Sequence, residues 1–291
     1  MTSLLFPNAR VFDGHSADCP GGMNVLVADG LIRECSSAPI AAPGARVIDV
    51  AGRTLMPGLI DAHVHIESSM CTPPAFSQAA LTHGVTSVIT DPHEIANVHG
   101  LDGIRFMLDS AAGGVLSMYI MASSCVPATH METAGAALDA ADLTALRDHP
   151  WVLGLAEMMN YPGVIFGAPD ALGKIATFAW RVLDGPCPGL RGSDLTAYTD
   201  AGLPSDHECP TLDQAREKQP PGNALFTRGP ANDHTLRPRL PAGQALLAIG
   251  RRLRRITTPD DAVAWLQHLN DWHTIYGHLT RERSYAKRRL P

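Results

Sequence analysis

The sequence predicts an α/β protein in which a small β-sheet module precedes an incomplete parallel (β/α)8 barrel. Residues 1–56 show short apolar alternations separated by turns, and Ala28-Asp-Gly-Leu is typical of a hairpin. From residue 57, apolar runs alternate with helical segments, which is the pattern of parallel βα units. Six runs and a weaker seventh fit strands, whereas a closed barrel needs eight. The predicted strands are 58–63, 85–91, 115–121, 151–157, 181–184, 201–206 and 223–227.

Helices are expected between these strands and again near the C-terminus. Apolar residues repeat at helical spacing over 259–286, which predicts one helix in the last part of the chain. We therefore divide the chain into a β module (1–56), a partial barrel (57–227) and a divergent basic tail (228–291). The predicted barrel helices are 74–83, 103–112, 139–148 and 170–180.

Composition and charge exclude several classes of protein. The 291 residues are 45% apolar and 18% charged, as in ordinary globular proteins. No apolar run is long enough to span a bilayer and the start does not resemble a signal peptide, so we expect a cytoplasmic protein without a membrane partner. The six cysteines contain no Cys-x-x-Cys pair, which favours reduced thiols. A homo-oligomer is left open.

The charge changes sign along the chain. Residues 1–227 hold 11 Lys/Arg against 24 Asp/Glu, whereas residues 228–291 hold 12 against 5. The basic part has no nucleic-acid-binding motif, so we expect no nucleic-acid partner. A shifted coding frame and an evolved C-terminus are both open as explanations of this tail.

The pair His63-Val-His65 follows an apolar run and is the first sign of a site. Alternate side chains of a strand share a face, so both imidazoles point the same way. Neutral imidazole binds zinc, iron or manganese, and a metal held in this way can supply hydroxide near neutral pH. This pair therefore predicts metal-assisted hydrolysis.

Acid and imidazole side chains also follow three later strands. His93 and Glu94 follow the second predicted strand, Glu157 ends the fourth, and His207 comes after the sixth. The carboxyl ends of barrel strands meet on one face, where barrel enzymes have their active sites. These residues are therefore expected to converge.

Five motifs together make the chain resemble the adenine deaminases of the amidohydrolase superfamily, of the bacterial type that acts on the free base. The resemblance covers roughly residues 5–218. The motifs are His63-Val-His65-Ile-Glu67-Ser-Ser, Asp91-Pro-His93-Glu94-Ile-Ala-Asn97-Val, Ser124-Cys-Val-Pro-Ala-Thr, Gly154-Leu-Ala-Glu157-Met-Met-Asn160 and Asp206-His207-Glu208-Cys209.

The resemblance implies a two-metal site that hydrolyses adenine to hypoxanthine and ammonia in purine salvage. His63 and His65 would bind one divalent ion, Glu157 would bridge to a second, and His207 would bind that second ion. Manganese, iron and zinc all suit this set of ligands. The only partner implied is a small-molecule purine base.

The remaining site residues receive less definite roles. His93 and Glu94 are the candidate catalytic residues. His93 could polarise the purine ring, contact a further metal or shuttle protons, and Glu94 could orient its neighbours. Glu67 and Asn160 are expected to support the metal ligands without touching the metal.

The chain departs from the family pattern in two places. Pro186 stands where the pattern has a metal-binding histidine, and no segment after residue 218 resembles the eighth strand with its aspartate pair. Two other functions are therefore open. One is a different amidohydrolase that acts on cyclic amides, and the other is a non-catalytic remnant that binds metal or a partner.

Overall fold

The computed structural model describes residues 3–14, 18–208, 211–218 and 224–225, which fall into two compact units. Residues 3–58 belong to the first unit, and the second begins at Leu59. The predicted helix over 259–286 lies outside the described residues, as does most of the predicted strand 223–227. Within the described ranges, no helix has the length and apolar character needed to cross a bilayer.

The first unit is a small sheet organised around its first strand. Strand β1 pairs antiparallel with β2 and parallel with β4 and β5, while β2 pairs antiparallel with β3. Asp29 and Gly30 both have positive φ, as the predicted hairpin turn between β2 and β3 requires. The strands are β1 Leu4–Val11, β2 Met23–Ala28, β3 Leu31–Ser36, β4 Arg46–Val47 and β5 Thr54–Leu55.

The second unit is built on parallel strands, and this confirms the predicted α/β fold with an incomplete barrel. In the part of the chain that the structure describes, five strands form one parallel sheet in the order β10-β9-β8-β7-β6, and β11 pairs in parallel with β12. The strands are β6 Leu59–Val64, β7 Val85–Thr90, β8 Ser117–Ala122, β9 Val152–Leu155, β10 Val182–Leu183, β11 Ser205–Asp206 and β12 Ala224–Leu225.

The helices of this unit differ from the predicted ones in number and in length. The second helix begins at His93, ten residues before the predicted start, and Gly100 (φ 60°, ψ −141°) interrupts it as a kink. Three further helices, α4, α6 and α7, were not predicted. The helices are α1 Pro73–Leu81, α2 His93–Ala111, α3 Ala140–Thr144, α4 Tyr161–Ile165, α5 Pro169–Thr177, α6 Gly192–Asp200 and α7 Leu212–Lys218.

Apolar side chains from the strands and helices of the second unit form one core. Ile120 on β8 and Leu155 on β9 are fully buried, together with Phe76 on α1, Ile104 on α2 and Phe178 just after α5. Burying side chains of this size stabilises the fold by about 1.5–3 kcal/mol each. The packed core therefore fixes the positions of the strands and of their ends.

Gly154 allows strands β9 and β10 to lie close together. It pairs with Val182, and a Cβ atom built on Gly154 would overlap the backbone carbonyl of Val182. The same pairing continues beyond the strands, because Met158 N–H donates to Asp184 O at 2.9 Å. A side chain at position 154 would therefore push apart the two segments that follow these strands.

Gly154→Ala should destabilise the protein by about 1–3 kcal/mol, because its Cβ overlaps backbone that cannot rotate away. Urea unfolding of the metal-free protein measures this change. Gly21→Ala is the matched control, since its Cβ would meet no atom within 4 Å. Equal stability of the two variants would contradict the close approach of β9 and β10.

Candidate metal centre

The C-terminal ends of the parallel strands bring five polar side chains together. His63 lies in β6 and His65 comes just after it. Glu157 comes two residues after β9, Asp184 directly follows β10, and His207 directly follows β11. Each is buried or nearly so. The strand ends thus deliver imidazole and carboxylate groups to a single location.

His65 presents an imidazole nitrogen with a free lone pair. Its Nδ1 lies 2.8 Å from the backbone carbonyl oxygen of Asp91, which can only accept, so Nδ1 holds the hydrogen. Burial lowers the pKa of His65 to about 4, because the charged form is poorly solvated there. The ring is neutral at pH 7, and its Nε2 is available to a metal.

His63 faces His65 in an arrangement that suits a cation. Its Nδ1 lies 3.2 Å from Asp184 Oδ2 and donates to that carboxylate, which leaves a lone pair on Nε2. The Nε2 atoms of His63 and His65 are 3.1 Å apart. Two lone pairs at this distance repel each other, whereas a metal ion bound by both would satisfy them.

Glu157 lies between imidazoles on both sides. Its Oε1 is 3.3 Å from His65 Nε2 and 3.1 Å from His93 Nδ1, and its Oε2 is 2.9 Å from His207 Nε2. Burial raises the pKa of Glu157, but the hydrogen bonds from His207 and His93 outweigh burial and hold it far below its usual range. One ionised carboxylate therefore contacts imidazole rings through both of its oxygens.

His207 has a buried nitrogen without a hydrogen bond. Within the described residues Nδ1 has no hydrogen-bond partner, and Asp184 Oδ2 is 3.7 Å away. The ring stacks on that of His63 with the ring centres 3.8 Å apart. Burial lowers the pKa of His207, but the carboxylates of Asp184 and Glu157 outweigh burial and raise it to about 9.

These side chains form two overlapping groups with the spacing of metal ligands. In each group the candidate ligand atoms lie within 4.8 Å of one another, and Glu157 belongs to both. The free lone pairs of His65 and His63 fit a bound cation, and His207 can join them once it releases its proton. The groups are His65, Asp91, His93, Glu157 and His63, Glu157, His207.

His93 lies in the centre, as the sequence predicts. Its Nδ1 is 2.9 Å from Asp91 Oδ2 as well as close to Glu157, and Cys125 Sγ lies 3.4 Å from the same nitrogen. Burial lowers the pKa of His93, but the hydrogen bonds to Asp91, Cys125 and Glu157 raise it far above its usual range. These contacts therefore favour the protonated, positively charged form of the ring.

The other three predicted residues make their contacts elsewhere. Glu94 accepts a hydrogen bond from Ser68 Oγ, and Glu67 Oε1 accepts one from Ile95 N–H at 3.3 Å. Burial raises the pKa of Glu67 to about 7. Asn160 Oδ1 accepts from Gly163 N–H at the start of α4. Glu67 and Glu94 thus join the turn after β6 to helix α2, and Asn160 caps a helix.

Two carboxylates of the centre were missed by the sequence analysis. Asp91 contacts His93 and also accepts from Ser123 Oγ at 2.7 Å. Asp184 contacts His63 and accepts from Ser205 Oγ at 2.5 Å. Burial raises the pKa of Asp184, but His207 and His63 lower it far below its usual range. Both residues directly follow a strand. An acidic residue at the end of a predicted strand is also the feature from which Glu157 was predicted.

Parallel strands that end in His-x-His and share a buried carboxylate are typical of metal-dependent hydrolases of the barrel type. The chain belongs to the amidohydrolase family, whose model matches residues 54–267. Family membership and the donor set together imply a divalent metal.

Several curated relatives are named adenine deaminase. The chain is 45% identical to the one from Desulfatibacillum aliphaticivorans over 228 residues, which are 77% of this chain and 39% of that protein. It is 51% identical to that of Cereibacter sphaeroides strain KD131 (64% and 33%) and 44% identical to that of Dehalococcoides mccartyi strain 195 (82% and 41%). The chain thus spans about two fifths of these relatives or less.

Solved structures share the fold at low sequence identity. N-isopropylammelide isopropylaminohydrolase from Burkholderia multivorans superposes with a TM-score of 0.57 and 21% identity, over 84% of this chain and 72% of that chain. A Xaa-Pro dipeptidase superposes with a TM-score of 0.52 and 13% identity, over 90% and 73%. These likenesses support the fold.

The metal-free protein should lose stability as the pH rises from about 6.5 to about 9. An unfolded histidine has a pKa near 6.5, while that of folded His207 is about 9, so the folded state holds a proton that the unfolded state releases. This stabilisation is complete below pH 6.5 and is lost through pH 9, by on the order of 3 kcal/mol. Urea unfolding with chelator at pH 6.5, 7.5 and 9 measures it.

His207→Gln is the control for this pH dependence, because glutamine does not titrate. The decline should be smaller in this variant, and His93 accounts for what remains, since its pKa is also raised. A decline as steep as that of the parent protein would mean that His207 is not protonated in the folded state.

Proposed function

We propose that this chain has the site of an adenine deaminase, which hydrolyses adenine to hypoxanthine and ammonia in purine salvage with a pair of divalent ions. The observation that carries the proposal is the position of Glu157, whose two oxygens reach separate groups of imidazoles. A carboxylate in this position can bridge two cations. The adenine deaminase relatives support adenine as the substrate.

His63 and His65 would hold one ion, Glu157 would bridge, and His207 would hold the second. The assignment of His63 follows the family motif, since the ligand spacing in the structure groups His63 with His207 and His65 with His93. Imidazole and carboxylate ligands suit manganese, iron or zinc. When bound between these residues, such an ion would lower the pKa of a water molecule and so supply hydroxide near neutral pH.

The chain's own residues would orient these ligands and handle protons. Asp184 accepts from His63 Nδ1 and so aims Nε2 at the centre, and the Asp91 carbonyl does the same for His65. We assign proton transfer to His93, because its proton is held at Nδ1 beside both Asp91 and Glu157. The departing amine of adenine needs such a proton to leave as ammonia.

Pro186 removes one ligand of the family pattern, yet a carboxylate lies nearby. Pro186 is buried, and its carbonyl oxygen is 3.4 Å from the hydroxyl of Tyr198. Asp184, two residues earlier, faces the Nδ1 atoms of both His63 and His207. We propose that Asp184 keeps these two rings in place without the missing histidine.

The second candidate function is metal binding without turnover, which Pro186 favours. A proline offers no ligand, so the second ion would have fewer protein ligands than the family pattern supplies. The two candidates agree on metal uptake and differ only in whether adenine is consumed.

Hypoxanthine formation from adenine tests the proposed function. We expect the purified chain, loaded with manganese or iron(II), to release hypoxanthine and ammonia in equal amounts. His63→Ala and His207→Ala should abolish turnover, because each removes a ligand. His99→Ala is the matched control, since His99 is exposed on α2. Folded protein that binds metal but forms no hypoxanthine would favour the second candidate.

Asp184→Asn should weaken metal binding or activity by about 10–100-fold, the usual effect of losing a carboxylate that orients a ligating histidine. Metal content after dialysis against graded chelator measures the affinity. Asp200→Asn, at the exposed end of α6, is the control. Unchanged affinity in Asp184→Asn would show that His63 needs no such partner.

A further inference from the structure

Helix α7 is tied to the segment after β10 by three side chains. Gln214 Oε1 accepts from Gly189 N–H at 3.0 Å, and Glu217 Oε1 accepts from Gly192 N–H at 2.9 Å. Lys218 Nζ donates to the carbonyl oxygen of a third residue, Cys187, at 2.6 Å. The first two contacts are exposed, whereas the third is buried.

Lys218 differs from the other two because it also reaches the last residue of β11. Its Nζ lies 2.6 Å from Asp206 Oδ2, and both side chains are 0% exposed. This ion pair has no access to water. Lys174, the other buried lysine in the described ranges, pairs with Asp170, which is half exposed. The pair of Lys218 and Asp206 is therefore the more completely desolvated of the two.

The partner of Lys218 holds the backbone around a candidate ligand. Asp206 directly precedes His207, and its Oδ1 accepts from Glu208 N–H at 2.8 Å and from Cys187 N–H at 3.5 Å. One carboxylate thus ties the residues on both sides of His207 to the segment after β10. Lys218 contacts the other oxygen of this carboxylate, Oδ2.

A buried ion pair of this kind is better explained by geometry than by stability. The cost of removing both charges from water often exceeds their attraction, so a buried pair adds little stability over an apolar one. It does fix the direction of each group, because a misplaced partner leaves an unpaired charge. The pair is placed where direction matters, next to His207.

We infer that Lys218 is a positioning residue for His207. It acts through Asp206 and sets the position from which His207 meets the second ion. The inference rests on the proposed function, because it concerns the ion assigned there to His207. It predicts that loss of Lys218 weakens the binding of the second ion and leaves the binding of the ion at His63 and His65 unchanged.

Cobalt(II) titration of the metal-free protein tests this inference. The visible absorbance of bound cobalt reports the number of ions, their affinities and the geometry of their ligands. In Lys218→Met the affinity for the second ion should fall at least 10-fold and its absorbance should change, while the first ion binds as in the parent. His207→Ala serves as the reference and should bind one ion.

Two further variants separate positioning from general damage. Gln214→Ala removes another tie of α7 without touching Asp206, so it should bind both ions like the parent. If Lys218→Met does not fold, the double variant Asp206→Asn, Lys218→Met leaves no unpaired charge and should fold, yet bind the second ion weakly. Circular dichroism and urea unfolding establish the folded state of each variant.

Several outcomes would overturn the inference. Parent-like binding of both ions by Lys218→Met or the folded double variant would show that Lys218 does not position His207. Equal weakening in Gln214→Ala would show that α7 acts only as general support. If the parent protein instead binds the same number of ions as His207→Ala, there is no second ion at His207. That result would contradict both the inference and the two-ion proposal.

Discussion

The carboxylate of Glu157 is the group on which the rest of the site depends. It is 5% exposed and lies against His65, His93 and His207. A buried charge is stable only when it is paired and hydrogen-bonded. The imidazoles meet this need, and the carboxylate in turn holds together rings that would otherwise repel one another when protonated.

The position of Glu157 is fixed by residues outside the centre. Its backbone carbonyl accepts from Ser124 Oγ at 2.6 Å, and the Ser124 carbonyl accepts from Lys174 Nζ at 3.1 Å. Lys174 comes from α5, so the helix layer of the second unit reaches the centre through two hydrogen bonds. Gly154, three residues before Glu157, lets β9 lie against β10 and so brings Asp184 alongside.

The clustering of the candidate ligands could be predicted from the sequence because they follow a simple rule of parallel sheets. His63, His65, Glu157 and His207 lie in or just beyond the ends of apolar runs, and the carboxyl ends of these runs must meet. Asp184 satisfies the same rule. The family motif, however, places the metal-binding histidine two positions later, at Pro186, and gives no role to Asp184.

Other features could not be predicted because they depend on contacts between distant segments. Glu94 and Glu67 stand in the motifs beside the candidate ligands, yet their carboxylates turn toward Ser68 and toward the start of α2. Helix α7 has seven residues, too few for helical periodicity to show, and its Lys218 contacts Asp206 in a different element. Sequence spacing does not encode these directions.

The carboxylates of the centre also favour protons on the neighbouring imidazoles. His93 and His207 both bind protons more tightly than free histidine, because each lies against buried carboxylates. Those protons supply positive charge next to Glu157, Asp91 and Asp184. A ligating imidazole must release its proton to bind metal. Protons and metal ions would therefore compete for these side chains, because both neutralise the negative charge of Glu157, Asp91 and Asp184.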